Sequence, residues 1–480
     1  MKWCILKIAN NVIFCRNKIT KTEGKKMKLV YGVNDKPKFA QLIVYAIQQL
    51  LAIMTATLVV PVIINGACAT TMSSAAALVG AGIGTLIYVA FTQKKSPVFL
   101  GSSFAFINSM IAAFAGGVSM SLGFLGLIIG AIFAGLVYVI IAIIVKLAGV
   151  NWVNKVMPAA VIGPTVAIIG LSLAGNAIGD MSKGSIPDVA ASPLITILCG
   201  IVTLLITIIC STYGKKTLKL IPFIMGILGG YALAAIFTII GYTANIDALK
   251  VLNVAPFLAL VENGVTLNTF LSVPEFTFLT AIKGVGELNA AYISTIAVAY
   301  IPVAFVVFAE HIADHKNISS IIEKDLLEEP GLHRTLLGDG IGSISGAIFG
   351  GCPNTTYGES VGCVAITRNA SVLTIITAAI LAILIAFISP FIAFVNSIPS
   401  CVMGGVCMAL YGFIAVSGLK MIQPVNLNNN KNLFVVSVIL IAGIGGLTLN
   451  FGQITITSIA SALILGIITN IVVSKAADEE

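Results

Sequence analysis

The sequence predicts an all-α polytopic membrane protein with fourteen transmembrane segments in a 7+7 inverted repeat. The third and tenth segments are expected to be broken, each a short strand plus a half-helix. Three observations predict this. First, 58% of the 480 residues are hydrophobic and 10% are charged, with a mean hydropathy of +1.05. Repeated apolar runs of about 20 residues are the length a helix needs to cross a bilayer. Second, the Lys and Arg residues fall almost entirely on one side. Third, polar and proline-glycine strings recur at corresponding places in the two halves. The runs are continuous rather than alternating, which argues against a β-barrel.

Apolar stretches lie at about 41–64, 73–92, 98–115, 120–145, 157–175, 192–213 and 219–243, then at about 288–312, 334–349, 354–367, 370–395, 399–417, 432–447 and 454–474. With the N-terminus in the cytoplasm, 24 of the 27 Lys and Arg residues fall inside, and only Lys183, Lys250 and Lys283 fall outside. That asymmetry sets the orientation, and omitting one span would invert every later loop. Both termini are therefore cytoplasmic in a multi-pass protein of the cytoplasmic (plasma) membrane. The net charge of +8 reports this orientation, and no nucleic-acid partner is expected.

Seven spans per half is an odd number, so the second copy must insert inverted. Ser102-Ser103-Phe104-Ala105 echoes Thr355-Thr356-Tyr357-Gly358, and the string Pro158 to Gly163 echoes Pro399 to Gly404. The division expected is a basic cytoplasmic tail at 1–38, a first repeat at 39–243, an extracellular connection at 244–287, a second repeat at 288–474, and a cytoplasmic C-terminus at 475–480. Met27 opens a stretch that reads like a natural start. Residues 1–26 are expected to be a disordered basic tail or an upstream start-codon choice, which N-terminal sequencing of the native protein decides. No signal peptide is expected, because no long apolar core precedes a small-residue cleavage site. Nine cysteines are scattered without a C-x-x-C pair. Cys199, Cys210, Cys363 and Cys407 fall in apolar runs and read as small core residues.

The functional centre is Gly350 to Arg368. It carries Asn354, Thr355, Thr356, Tyr357 and Glu359 among glycines and a proline. Irregular backbone at membrane depth survives only against protein or a wet cavity. An intramembrane carboxyl costs about 2.5–3.5 kcal/mol on insertion scales and marks a functional site. A half-helix starting near Gly358, and its inverted echo near Ser103, would bring two helix N-termini with free N–H donors to one place. Phe104 and Tyr357 supply a flat stacking surface. Donors, acceptors and an aromatic face suit a planar heterocycle with alternating N–H and C=O groups.

The second half of the site is the string Phe308 to His315. Glu310 and Asp314 are four apart and share a helix face. A carboxyl in a poorly hydrated cavity exchanges a proton near neutral pH, which makes Glu310 a proton carrier. His311 and His315 share the neighbouring face and are expected to cap the cytoplasmic end of the helix, where His is favoured. No metal is expected: the order is Glu-His-x-x-Asp-His, not His-Glu-x-x-His, and no further ligand cluster stands elsewhere. The acidic run from Glu323 to Glu329 reads as a solvated surface.

These residues resemble the nucleobase–ascorbate transporter family, also called nucleobase:cation symporter-2. The resemblance covers most of the chain from about Met27. It rests on the string Leu100 to Phe106, on Ala309-Glu310-His311, on Asp325-Leu326-Leu327 with the string Pro330 to Arg334, and on Pro353 to Glu359. The family signature stands here as Glu359-Ser360-Val361-Gly362 and Thr367-Arg368. The resemblance implies a core domain of spans 1–4 and 8–11 and a gate domain of spans 5–7 and 12–14. It implies proton-coupled uptake of a nucleobase, most simply uracil, by alternating access. Glu310 and Glu359 would hydrogen-bond the base, Phe104 and Tyr357 would contact its ring, and Ala56 and Gly358 would line the site. Glu310 with Asp314 and His311 would serve proton coupling. The proton is the coupling ion and no cofactor is implied. The partners are a small nucleobase, protons and the lipid bilayer, with a homodimer left open.

The chain departs from the family pattern in two places. The signature Asn is Ser360. Members that carry uracil tend to have a His four residues after the eighth-span Glu, where this chain has Asp314. An acid there is familiar from purine-carrying members, so xanthine or another oxopurine is the alternative substrate. A membrane enzyme lacks a second catalytic constellation, and a channel has no need of a titratable site between broken helices. An anion carrier of the related sulfate-permease type would not place two carboxyls in its site.

Overall fold

The computed structural model describes residues 29–186, 189–262, 264–451 and 454–474. The expectations for residues 1–28 and 475–480 lie outside it. The chain is mainly helical. The helices are α1 (Phe39–Cys68), α2 (Ser74–Phe91), α3 (Ile107–Ala113), α4 (Met120–Ala148), α5 (Ala159–Ser172), α6 (Pro193–Tyr213), α7 (Pro222–Thr243), α8 (Ala290–Ile322), α9 (Leu332–Gly350), α10 (Gly358–Thr367), α11 (Val372–Ile385), α12 (Ser400–Ile422), α13 (Asn430–Ile444) and α14 (Ser458–Ser474). Among the described residues, eight helices are long and apolar enough to cross a membrane.

Local chemistry explains where they start and stop. Ser73 and Ser119 N-cap α2 and α4 by accepting the amides of Ala76 and Leu122, and Asn289 caps α8 by accepting that of Tyr292. Pro193 and Pro222 occupy the first turns of α6 and α7, where the missing N–H costs nothing. The expected extracellular connection holds short helices, Ala255–Ala259, Leu267–Phe270 and Thr277–Ala281. Exposed apolar side chains run along α4, α6 and α7, such as Ile140, Leu194 and Ile239. That is the surface a lipid-facing helix presents.

The helices sort into two packed groups. One comprises α1, α2, α4, α8, α9, α10 and α11; the other comprises α5, α6, α7, α12, α13 and α14. Within the second group, α5 and α12 pack reciprocally. Gly163 of α5 lies under α12, where a Cβ would come 3.0 Å from the Gly418 carbonyl oxygen. Gly404 of α12 lies against Ala177, where a Cβ would come 2.7 Å from that carbonyl. Pro158 and Pro399 stand at the N-caps of the two helices. The two echoed Pro-to-Gly strings therefore start two helices that bury these glycines, Gly163 against α12 and Gly404 against the helix Ala174–Met181.

Packed against the first group stand two short strands, β1 (Leu100–Ser102) and β2 (Asn354–Thr356). They pair antiparallel, with Leu100 opposite Thr356 and Ser102 opposite Asn354. β1 leads through the tight turn Phe104–Phe106 into α3, and β2 leads into α10. Both strands are fully buried, and their pairing satisfies backbone groups that no lipid could satisfy.

Candidate functional site

The site is built where β1, β2, α8 and α10 meet. Tyr357 closes β2 against β1: its N–H donates to the Phe99 carbonyl at 3.2 Å, and its hydroxyl donates to the Ser102 carbonyl at 2.8 Å. The ring lies across Gly101, where any Cβ would collide with it, so glycine is needed there for the close approach. Ser103 donates its backbone N–H to the Pro353 carbonyl at 2.9 Å. These bonds fix the two polar strings relative to each other before any ligand enters.

A cavity of about 500 Å³ opens beside them, within the range of small-molecule sites. Glu310, Asp314, Glu359, Phe104, Tyr357 and Gly358 all line it. Six residues singled out from the sequence thus come together from three separate stretches. Ala56 and His311 are not in the wall. Ala56 is fully buried in α1, and Ala52, one turn earlier, reaches the cavity instead. Thr355 also lines it; its hydroxyl is buried and has no hydrogen-bond partner among the described residues. Asp314 accepts a hydrogen bond from the Thr356 hydroxyl at 2.9 Å, which fixes one carboxylate oxygen and leaves the other towards Gly358, whose Cβ would lie 3.7 Å from it. No group of three or more metal-ligating side chains exists among the described residues.

The expectation that His311 and His315 cap a helix end is corrected. α8 runs on to Ile322, and both rings are fully buried inside it. His311 pairs through Nδ1 with Asp339 of α9 at 2.7 Å and through Nε2 with the Thr335 hydroxyl at 3.0 Å. His315 Nδ1 donates to the His311 carbonyl at 2.7 Å. Its Nε2 meets the Tyr88 hydroxyl at 2.6 Å, and Tyr88 meets Ser96 at 2.7 Å. The imidazoles stack with centroids 4.0 Å apart. The apolar run ends near Glu310, but the helix does not, because partners on α2 and α9 satisfy its polar side chains. His333 sits in the first turn of α9.

Three contributors were missed from the sequence. Asp339 lies in a glycine-rich helix with no neighbouring charge to mark it. Gln49 of α1 donates its side-chain N–H to the Ser360 hydroxyl, which also accepts the Phe99 amide at 3.0 Å. Tyr411 of α12 sets its ring edge-on to Phe104, with centroids 5.7 Å apart. None belongs to a local pattern, since each is defined by a partner far along the chain.

The model of the Xan_ur_permease family, described as a permease family, matches residues 40–452. The uracil permease of Bacillus subtilis is 37% identical over 464 residues, covering 95% of this chain and 98% of the relative. The uracil permease of Escherichia coli K12 is 36% identical, covering 91% and 92%. A putative pyrimidine permease of the same organism, RutG, is 28% identical, covering 93% and 92%. Among solved structures, the transmembrane domain of the cyanobacterial bicarbonate transporter BicA aligns with a TM-score of 0.59 at 14% identity, over 92% of this chain and all of that one. Murine Slc26a9, an anion transporter in an inward-facing state, aligns with a TM-score of 0.57 at 9% identity, over 92% of this chain and 69% of that one. At such identities the structural likeness speaks for the fold alone. From the family match and the extent of the identity, the chain belongs to the permease family of the nucleobase–ascorbate transporters.

Proposed function

We propose that this protein is a secondary active transporter that takes up a nucleobase, uracil, together with a proton across the cytoplasmic membrane. One observation carries the reading: two carboxyls, Glu310 and Glu359, line the same cavity as Phe104 and Tyr357. The ring stacks on the aromatic surface, and its N–H groups donate to the two carboxyls. The names of the relatives at 36–37% identity favour uracil among the bases.

Charge explains the coupling. Two ionised carboxyls facing each other across a site that must close are costly, because a buried charge without a partner is strongly penalised. A proton on Glu310 removes one charge and supplies a donor to a ring carbonyl. The loaded site then carries one negative charge fewer as it moves. On the inner side the base leaves and Glu310 gives its proton to the cytoplasm.

The eight long helices, the apolar helices Phe104–Ala113, Val372–Ile385, Asn430–Ile444 and Ser458–Ser474, and α9 and α10 supply the fourteen segments of an inverted 7+7 repeat. The two packed groups correspond to core and gate, with the base between them. Lys219 and Lys420, both on the side that the charge distribution puts in the cytoplasm, stand on the cavity wall, so this conformation is open to the inside. Both termini are cytoplasmic, the proton is the coupling ion and no cofactor takes part.

Asp314 favours a second reading, an oxopurine such as xanthine, because it adds a third carboxyl to the same wall. Uptake of labelled uracil into cells, with unlabelled xanthine as competitor and with or without a protonophore, separates the two. Protonophore-sensitive uracil uptake that ignores xanthine is expected. No uracil uptake, or strong block by xanthine, moves the assignment to an oxopurine. Downhill flux that never accumulates substrate would reject the symporter.

A further inference from the structure

The helix that carries Glu359 is short, and its two ends are held in different ways. α10 has ten residues, about 15 Å at 1.5 Å per residue, and a helix of that length moves as a rod. Glu359 stands in its first turn, tied down by β2 and by the Ser360–Gln49 bond. The far end is Arg368, a non-glycine residue at φ 58, in the left-handed region. Such a conformation persists only where its surroundings over-determine it. Here the surroundings come from the other end of the chain. The Arg368 carbonyl accepts the amides of Val30 at 2.8 Å and Tyr31 at 3.3 Å. The Ala370 amide donates to the Tyr31 carbonyl at 2.8 Å, and that of Val372 to the Val33 carbonyl at 3.1 Å. Ser371 donates its hydroxyl to the Asp35 carbonyl at 2.6 Å. Tyr31 in turn is fastened to α1, donating its hydroxyl to Gln41 at 2.6 Å and meeting Tyr45 edge-on at 6.0 Å.

We propose that Val30–Asp35 form a strap that holds the C-terminal end of α10 and thereby sets where Glu359 stands in the cavity. The strap residues are positioning residues; none lines the cavity. The inference rests on the reading that Glu359 contacts the base. It predicts that losing the strap weakens binding rather than removing the fold, because α10 is released at one end while the strand pair and the helix groups are untouched.

The test uses the full-length protein and a backbone donor. Val30 is 55% exposed, so Val30→Pro removes the shorter of the two bonds to Arg368 without emptying a packed site, and Val30→Ala keeps the donor. Uracil affinity is expected to fall at least about fivefold in Val30→Pro and to change by less than about twofold in Val30→Ala, with similar thermal midpoints. Adding Arg368→Gly, which takes the left-handed conformation freely, is expected to restore most of the loss. Wild-type affinity in Val30→Pro would overturn the strap. If Val30→Pro does not accumulate in the membrane, Ser371→Ala, which removes only the Asp35 bond, is read in the same way. If the wild type binds no uracil, the substrate reading fails while the strap is still decided by hydrogen exchange. Faster exchange of α10 amides in Val30→Pro than in Val30→Ala supports it, and equal exchange rejects it.

Discussion

At the scale of single residues, Glu310, Asp314 and Glu359 are three carboxyls on one cavity wall with different surroundings. Among the described residues, Asp314 alone of the three has a side-chain donor, the Thr356 hydroxyl. Glu359 follows Gly358 at the start of α10 and faces the space a ring would fill. Hydrogen bonds to a charged acceptor contribute about 1.5–3 kcal/mol, so Glu359→Gln should weaken uracil binding roughly tenfold to a hundredfold. Wild-type uptake by a correctly inserted Glu359→Gln protein would remove that residue from the site. Glu310→Gln should behave differently, retaining some binding and downhill exchange while abolishing accumulation against a gradient. Accumulation that survives in Glu310→Gln would shift the proton to another group. Asp314→His exchanges an acid for an imidazole on the cavity wall and should change which bases compete for uptake. An unchanged competition profile would make Asp314 neutral to ligand choice.

At the scale of elements, the sequence resolved what depends on local pattern and missed what depends on contact. Apolar runs found the long helices, usually to within a few residues, because a bilayer demands a minimum length. Proline and glycine among hydroxyl residues marked the places where the short strands β1 and β2 stand, each followed by a short helix. The run at about 370–395 gave no hint that it divides into α11 and the helix Ser389–Ser397, with the Leu271–Ile388 bridge at the join. The histidines show the limit most clearly. A polar residue after an apolar run reads as a helix end unless its partner is known, and Asp339 is 28 positions from His311. That pair joins α8 to α9 with both side chains fully buried. Removing one member of a buried pair typically costs about 3–5 kcal/mol, so Asp339→Ala should lower the denaturation midpoint sharply as well as uptake. A stable Asp339→Ala protein would show that His311 finds another partner. Gln49 ties α1 to α10 through Ser360, the residue that replaces the signature Asn. Losing that buried bond costs about 1–3 kcal/mol. Gln49→Ala should therefore raise the KM for uracil, and a change in abundance alone would reduce Gln49 to a packing role.

At the scale of the whole molecule, the two helix groups meet around the cavity, and the charge distribution predicts which way it opens. Phe104 and Tyr411 touch edge-on between the groups, while Lys219 and Lys420 stand on the cavity wall. Lysines collect on the cytoplasmic side of a membrane protein, so the base would leave towards them. Ser417 of α12 lines the same cavity and is half-buried, which makes it a reporter of access. In a version lacking the native cysteines, Ser417→Cys should react with a membrane-impermeant maleimide in inside-out vesicles and resist it in right-side-out vesicles. Saturating uracil should slow the reaction, because the ligand occupies the space through which the reagent arrives. Labelling from the outside alone would reverse the orientation that the lysines assign. Equal labelling from both sides would mean that the two groups interconvert freely without ligand. A reaction indifferent to uracil would separate the cavity from the binding site and leave Glu310 and Glu359 without a common substrate.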